Sequence, residues 1–190
     1  QSAGAEAAAW DAYYQATEGG RPSLDELLEV ADAHRDTSVE PWARIAWADA
    51  QLLVGTRLLF HDRNTAKQYL SRASDAYLTL KTGAGNDMIR QRAIYGLARA
   101  NEALSRLDRA HEEYEAYAGE GGAFAEIGKA RAELLEEKQS KEFYDWFAEA
   151  TLPQAVQSTD PGIPGQKPAF SVEGLDEGAA LGPAPDAAPA

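Results

Sequence analysis

The side chains that most often do acid–base or metal chemistry are dispersed in this sequence. His111-Glu112-Glu113-Tyr114 lacks the second histidine that a His-Glu-x-x-His zinc site requires. The pairs Glu112-Glu113 and Glu136-Glu137 are adjacent, and adjacent helical residues diverge by about 100°, so neither pair converges on one substrate. Cysteine is absent, and no glycine-rich stretch has the Gly-Lys-Ser/Thr context of a phosphate loop. We therefore expect no enzyme, no metal site and no cofactor.

Composition narrows the possible partners. The net charge of the 190 residues is −13, and such a surface repels both nucleic acid and anionic membranes. No apolar run approaches the roughly 20 residues that span a bilayer. The chain opens with Gln1 and its single methionine is Met88, so we expect that a tag, a signal peptide or a membrane anchor has been removed.

The chain divides into two regions of different composition. Residues 1–150 show helical periodicity, which predicts one helical domain. Residues 151–190 hold seven of the nine prolines, with glycines, acidic residues and Ala-Pro steps, which predicts a disordered, solvated tail.

The helical region predicts about eight helices and no strand. Ser23-Leu24-Asp25-Glu26 has the pattern of a capping box, Pro41 suits a first helical turn, and residues 83–86 form a loop. The predicted helices cover residues 5–16, 23–34, 41–60, 62–80, 87–105, 109–118, 123–138 and 141–148.

The best-defined unit runs from residue 92 to residue 117 and predicts a helical hairpin. Its apolar residues follow helical spacing on both sides of a turn at residues 105–108. Small side chains at Ala98 and Ala110 allow two helices to approach closely, and two tyrosines fill the space beside the hairpin. The positions that define the unit are Ile94, Leu97, Ala98, Ala110, Tyr114 and Tyr117.

This unit resembles the tetratricopeptide repeat, in which a large residue, a leucine, a small residue, a turn, an alanine and an aromatic recur at these spacings. Ser105 stands in place of the usual turn glycine and Asn101 in place of the usual tyrosine. A weaker unit spans residues 44–73, with about six extra residues between Gly55 and Ala66. The resemblance implies antiparallel helical hairpins stacked as a short right-handed solenoid.

At the level of the whole domain, the chain resembles the tetratricopeptide domain of the ancillary SecYEG translocon subunit and cell division coordinator family. Residues 10–14 and 27–32, followed by the strong repeat, carry this resemblance. It implies a periplasmic domain in the bacterial cell envelope behind one N-terminal transmembrane helix. A cytoplasmic location is the alternative, and the tail at 151–190 departs from the family pattern.

Two groups of residues are candidates for binding. Arg92, Tyr95, Arg99 and Glu102 form a polar stripe, which in repeats of this kind faces the concave groove where a peptide binds; plain solvent exposure is the alternative. Phe143, Tyr144, Trp146 and Phe147 form an aromatic cluster, which we interpret as an end cap rather than a docking motif.

These features predict a protein-interaction scaffold that binds a protein or peptide, with no nucleic-acid partner. The alternative is a structural or oligomerisation module whose groove is filled by its own tail or by another copy. Contact with a membrane is expected only through a removed N-terminal anchor.

Overall fold

The structure is a computed structural model that describes residues 3–18, 23–121 and 125–150; the predicted tail at 151–190 lies outside them. The described residues are helical, without strands, which confirms the all-α prediction. No helix among them is long and apolar enough to cross a membrane. The eight helices are α1 Ala3–Thr17, α2 Leu24–Ala33, α3 Val39–Leu58, α4 Arg63–Gly83, α5 Asp87–Ala103, α6 Leu107–Gly119, α7 Ala125–Glu136 and α8 Lys138–Glu149.

Short polar side chains fix where several helices begin. Ser23 accepts a hydrogen bond from the Glu26 amide at 3.4 Å, as the capping-box pattern predicts for the serine. Asp62 accepts from the Thr65 amide at 3.0 Å at the start of α4. Asn86 accepts from the amides of Met88 and Ile89 at the start of α5. These caps satisfy amides that a helix start leaves without partners.

The predicted helix boundaries need correction near the C-terminus. α7 ends at Glu136 rather than at residue 138, and α8 begins at Lys138 rather than at residue 141. Glu137 separates them, with an extended backbone at φ −62° and ψ 137°. One extended residue is enough to end one helix and send the next in a new direction.

Helices that are neighbours along the chain pack against one another from α1 to α7. Their connections are short, so consecutive helices run antiparallel. α3 also contacts both α1 and α5, which places these three helices side by side. The approach of α3 to α4 is close, because a Cβ added at Gly55 would lie 2.7 Å from Leu70 Cγ.

The residues that define the strong repeat lie in the core of the α5–α6 hairpin. Ile94 and Leu97 are buried, as is Tyr114, which is 1% exposed. Ala98 and Ala110 lie in one core cluster that also takes in two residues of α7. Tyr117 is only half-buried. Ser105 has a positive φ of 58°, the backbone conformation in which the repeat pattern has glycine.

α8 packs on the turn between α3 and α4 as well as beside α7. Its Phe147 packs with Leu58 and Leu59 at the turn between α3 and α4. Arg63 Nη1 donates to the Ala150 carbonyl oxygen at 2.7 Å, and its guanidinium carbon lies 4.6 Å from the Phe147 ring centroid. The extra residues between Gly55 and Ala66 therefore provide a surface on which the end of α8 rests.

The contact between Gly96 of α5 and Tyr77 of α4 leads to a prediction about stability. A Cβ at Gly96 would overlap the Tyr77 ring, and Tyr77 is buried and donates a hydrogen bond to Asp49 on α3 at 2.5 Å. We expect Gly96→Ala to lower the free energy of unfolding by about 1–3 kcal/mol, because the ring must move away from Asp49. Denaturation in urea measures the change.

Gly119→Ala is the matched control, because a Cβ there meets nothing within 4 Å. It should change the free energy of unfolding by less than about 0.5 kcal/mol. Equal effects of the two substitutions would show that α4 and α5 do not pack as described.

Candidate functional site

The predicted stripe on α5 is present for its first three members. Arg92 and Arg99 are exposed, and Tyr95 is half-buried between them. All three lie on the same face because they are three and four residues apart on one helix. We call Arg92, Tyr95 and Arg99 the α5 surface.

Arg92 does not act as a free positive charge. Its guanidinium forms an ion pair with Asp49, which projects from α3. The same carboxylate accepts the hydrogen bond from Tyr77. Burial, followed by the negative charge of Asp49, raises the pKa of the Tyr77 hydroxyl far above its ordinary value, so Tyr77 stays protonated as the donor. Of the two arginines predicted to bind a ligand, Arg92 is thus neutralised by Asp49.

Arg99 is the cation of the α5 surface that has no ion pair among the described residues. Its guanidinium carbon lies 5.9 Å from the ring centroid of Tyr95. Tyr95 is itself held by two rings of α6, with its centroid 6.0 Å from that of Tyr114 and 5.0 Å from that of Tyr117. The Arg99 guanidinium therefore lies over the ring of Tyr95, which is packed against two other rings, and remains exposed to solvent.

Glu102 does not belong to this exposed surface, which corrects its predicted role as the fourth groove residue. The residue is only 6% exposed. Its carboxylate accepts hydrogen bonds from Tyr114 of α6 at 2.7 Å, from Arg131 Nε of α7 at 3.1 Å and from the hydroxyl of Tyr144 of α8. Arg131 Nη2 completes a two-pronged ion pair with it. We call these four residues the Glu102 network.

Burial, hydrogen bonds and charge together set the protonation states of Glu102 and its two tyrosines. Burial alone would raise the pKa of Glu102, but the hydrogen bonds from Arg131, Tyr144 and Tyr114 outweigh burial and hold that pKa below its usual value. Burial and the carboxylate together raise the pKa values of the Tyr114 and Tyr144 hydroxyls. Glu102 is therefore ionised at neutral pH while both tyrosines remain donors, so the network joins α5 to α6, α7 and α8.

The surface beside α5 continues across α3 to α1. Burial raises the pKa of Tyr13, and the charges of Arg92 and Asp49 also act on its hydroxyl, so Tyr13 lies within electrostatic reach of that ion pair. Tyr14 is largely exposed, and Trp10 packs on both tyrosines with ring centroids 5.8 Å away. Asp49 and Tyr13 could not be predicted from the sequence as parts of this surface, because no local spacing relates them to α5.

The described residues offer no cluster of metal ligands, and a cleft lies away from the α5 surface. No group of His, Cys, Asp or Glu among them is arranged to hold a metal ion. One cleft of about 190 Å³ lies instead between α6, α7 and the start of α8, where His111, Glu136 and Lys141 line it. Arg92 and Arg99 are exposed to solvent, which favours an extended polymer over an enclosed small molecule as a ligand.

Comparison with known proteins does not assign a family. No protein-family profile matches the chain, and neither a curated protein nor a solved structure resembles it significantly. The class that the described residues define is therefore an all-helical protein of packed hairpins.

The Glu102 network predicts a pH-dependent loss of stability. We expect Glu102→Gln to lower the free energy of unfolding by about 1–3 kcal/mol at pH 7, because the buried ion pair with Arg131 loses its charge. Because the pKa of Glu102 is lower in the folded than in the unfolded chain, ionised Glu102 stabilises the fold at pH values above about 4.3, the ordinary pKa of glutamate. This stabilisation is lost as the pH falls through the pKa of Glu102 in the folded chain. The difference between wild type and variant should therefore shrink in acid. Urea denaturation at several pH values measures it.

Glu112→Gln is the control, because Glu112 is exposed on α6. It should have the stability of the wild type at neutral pH. A Glu102→Gln effect that stays constant from neutral to acid pH would exclude ionised Glu102 as its cause.

Proposed function

We propose that this protein is a tetratricopeptide-like interaction scaffold that binds an extended, acidic peptide segment of a partner along the α5 surface. The observation that carries this proposal is Arg99, an exposed guanidinium without an ion pair among the described residues, on a chain whose net charge is −13. The planar guanidinium of Arg99 can donate two parallel hydrogen bonds to a carboxylate, and the Tyr95 ring beneath it supports its position.

The residues of the α5 surface would each make a different kind of contact with the peptide. Tyr95 offers its ring face at little entropic cost because Tyr114 and Tyr117 already hold it. The Arg92–Asp49 pair presents both hydrogen-bond donors and acceptors, which suits the amide groups of a peptide backbone. Arg99 would thus select for an acidic group on the ligand, while the Arg92–Asp49 pair adds contacts that do not depend on ligand charge.

The order of the helices supports the scaffold proposal. α1, α3 and α5 are the first helices of successive hairpins, and α3 contacts the other two. In a right-handed solenoid of such hairpins, the first helices line the concave side, where the α5 surface would lie. The proposed setting is the bacterial cell envelope behind an N-terminal anchor, with the cytoplasm as the alternative.

A second candidate function is a structural or oligomerisation module. The observation that favours it is the exposure of two aromatic side chains of α8, Phe143 and Trp146. This role is compatible with peptide binding, because α8 and the α5 surface share no residue.

The proposal predicts that reversing the charge of Arg99 abolishes selection for acidic ligands. A peptide array would identify binding sequences, and fluorescence anisotropy would then measure their affinities for wild type and Arg99→Glu. We expect Arg99→Glu to weaken binding of acidic peptides more than tenfold, about 1.4 kcal/mol, because a carboxylate would face another carboxylate. Circular dichroism and melting should not change, since Arg99 is exposed.

Arg72→Glu provides the matched control, because it makes the same charge reversal at an exposed position of α4. It should bind the same peptides within about twofold of wild type. Equal affinities of all three proteins for acidic peptides would refute the role of Arg99 and with it the proposed ligand chemistry.

A further inference from the structure

Two aromatic residues of α8 and one from the turn between α3 and α4 form a group of exposed rings around Phe147. Phe60 is 59% exposed, Phe143 49% and Trp146 62%. Their rings surround the buried ring of Phe147, with centroids 5.3 Å from Phe60, 5.9 Å from Phe143 and 6.5 Å from Trp146. We call Phe60, Phe143 and Trp146 the α8 patch.

Phe60 and Phe143 contribute to the packing of α8, since both rings contact Phe147, but about half of each side chain stays exposed. Phe147 enters the core and Tyr144 reaches Glu102, so these two side chains attach α8. Phe143 and Trp146 are three residues apart on α8, and their rings lie 5.9 Å from each other. Large exposed aromatic residues that touch one another are typical of an interaction surface rather than of an isolated end cap.

The charges of α8 indicate which partner fits the patch. Along one border of the patch, the spacing of α8 places three charged residues, Lys138, Glu142 and Glu149. The lysine lies in the first turn of the helix and Glu149 in the last. When two copies of one helix pack antiparallel about a two-fold axis, each border faces its own counterpart, reversed in direction. Lys138 of each copy would then approach Glu149 of the other, while the rings meet in the centre.

We propose that the α8 patch is a self-association surface through which two copies of this chain form an antiparallel α8–α8 dimer. In the single chain, the Lys138 ammonium lies 3.4 Å from Glu142, and both side chains are largely exposed. This weak surface pair leaves Lys138 available to the second copy. The dimer goes beyond the proposed function, since it would present two peptide-binding surfaces at once and raise the avidity for a partner with repeated motifs.

The size of the patch sets the strength of the contact. Each aromatic side chain buries on the order of 200 Å², and those of the patch are already about half covered, so six rings contribute on the order of 600 Å². This area is below the roughly 1,200 Å² of a standard stable interface. The dimer should therefore form reversibly in the micromolar range and not as a permanent assembly.

Sedimentation velocity over a range of protein concentrations tests the proposal directly. The wild-type chain should shift from monomer to dimer, and Trp146→Ser should raise the dissociation constant more than tenfold. Lys138→Glu should weaken the dimer, whereas Lys138→Glu combined with Glu149→Lys should restore it, because the charges are exchanged across the axis. Lys129→Glu, an exposed charge reversal on α7, should dimerise like wild type.

Circular dichroism of each variant checks that its fold is kept, and the charge-exchange pair gives a result that unfolding cannot imitate. A wild-type chain that remains monomeric at high micromolar concentration would overturn the proposal. So would a dimer that Trp146→Ser leaves intact, or a double charge exchange that fails to restore association. If a monomeric chain exposes Trp146 to quenchers only after residues 151–190 are deleted, the tail and not a second copy covers the patch.

Failure of the dimer is distinguishable from failure of the proposed function. Peptide affinity of Trp146→Ser, measured for a single binding motif, should equal that of wild type, because Trp146 is not part of the α5 surface. A peptide affinity that depends on Arg99 would survive even if the chain proved monomeric.

Discussion

The ionised carboxylate of Glu102 is the interaction on which the C-terminal half of the structure depends. It sits near the end of α5, almost inaccessible to water, and receives donors from α6, α7 and α8. A buried carboxylate is costly unless it is paired and hydrogen-bonded, and here four hydrogen bonds satisfy it, two of them from Arg131, with which it forms an ion pair. Because one acceptor serves three helices, removing its charge affects all of their positions together.

This network also connects the core to the candidate site. Tyr114 donates to Glu102 with its hydroxyl and packs on Tyr95 with its ring. Tyr95 in turn lies beneath the guanidinium of Arg99. The position of Arg99, the arginine proposed to bind the ligand, therefore depends on a hydrogen bond deeper in the hairpin. At the other end of the network, Tyr144 fixes the face of α8 that enters the core and thereby leaves Phe143 and Trp146 outside.

The features that the sequence could predict are those set by neighbours along the chain. Helix type, the Ser23 cap and the buried positions of the α5–α6 hairpin follow from spacing and propensity within a few turns. The spacing of Glu102 continues the Arg99 stripe and so predicts a groove position, whereas its actual partners Arg131 and Tyr144 lie 29 and 42 residues away along the chain. Pairings over such distances are decided by tertiary packing, as is the path of α8 across the α3–α4 turn, and neither leaves a local pattern.

Amide hydrogen exchange on wild type and Glu102→Gln, compared helix by helix at neutral pH, tests most directly whether this carboxylate holds the last helices in place. Loss of the charged network should increase exchange in α7 and α8, and less so in α6, while α1 to α4 keep the protection of wild type. Exchange that is unchanged throughout, or that increases equally in α1 to α4 and in α7 to α8, would contradict the central role of Glu102.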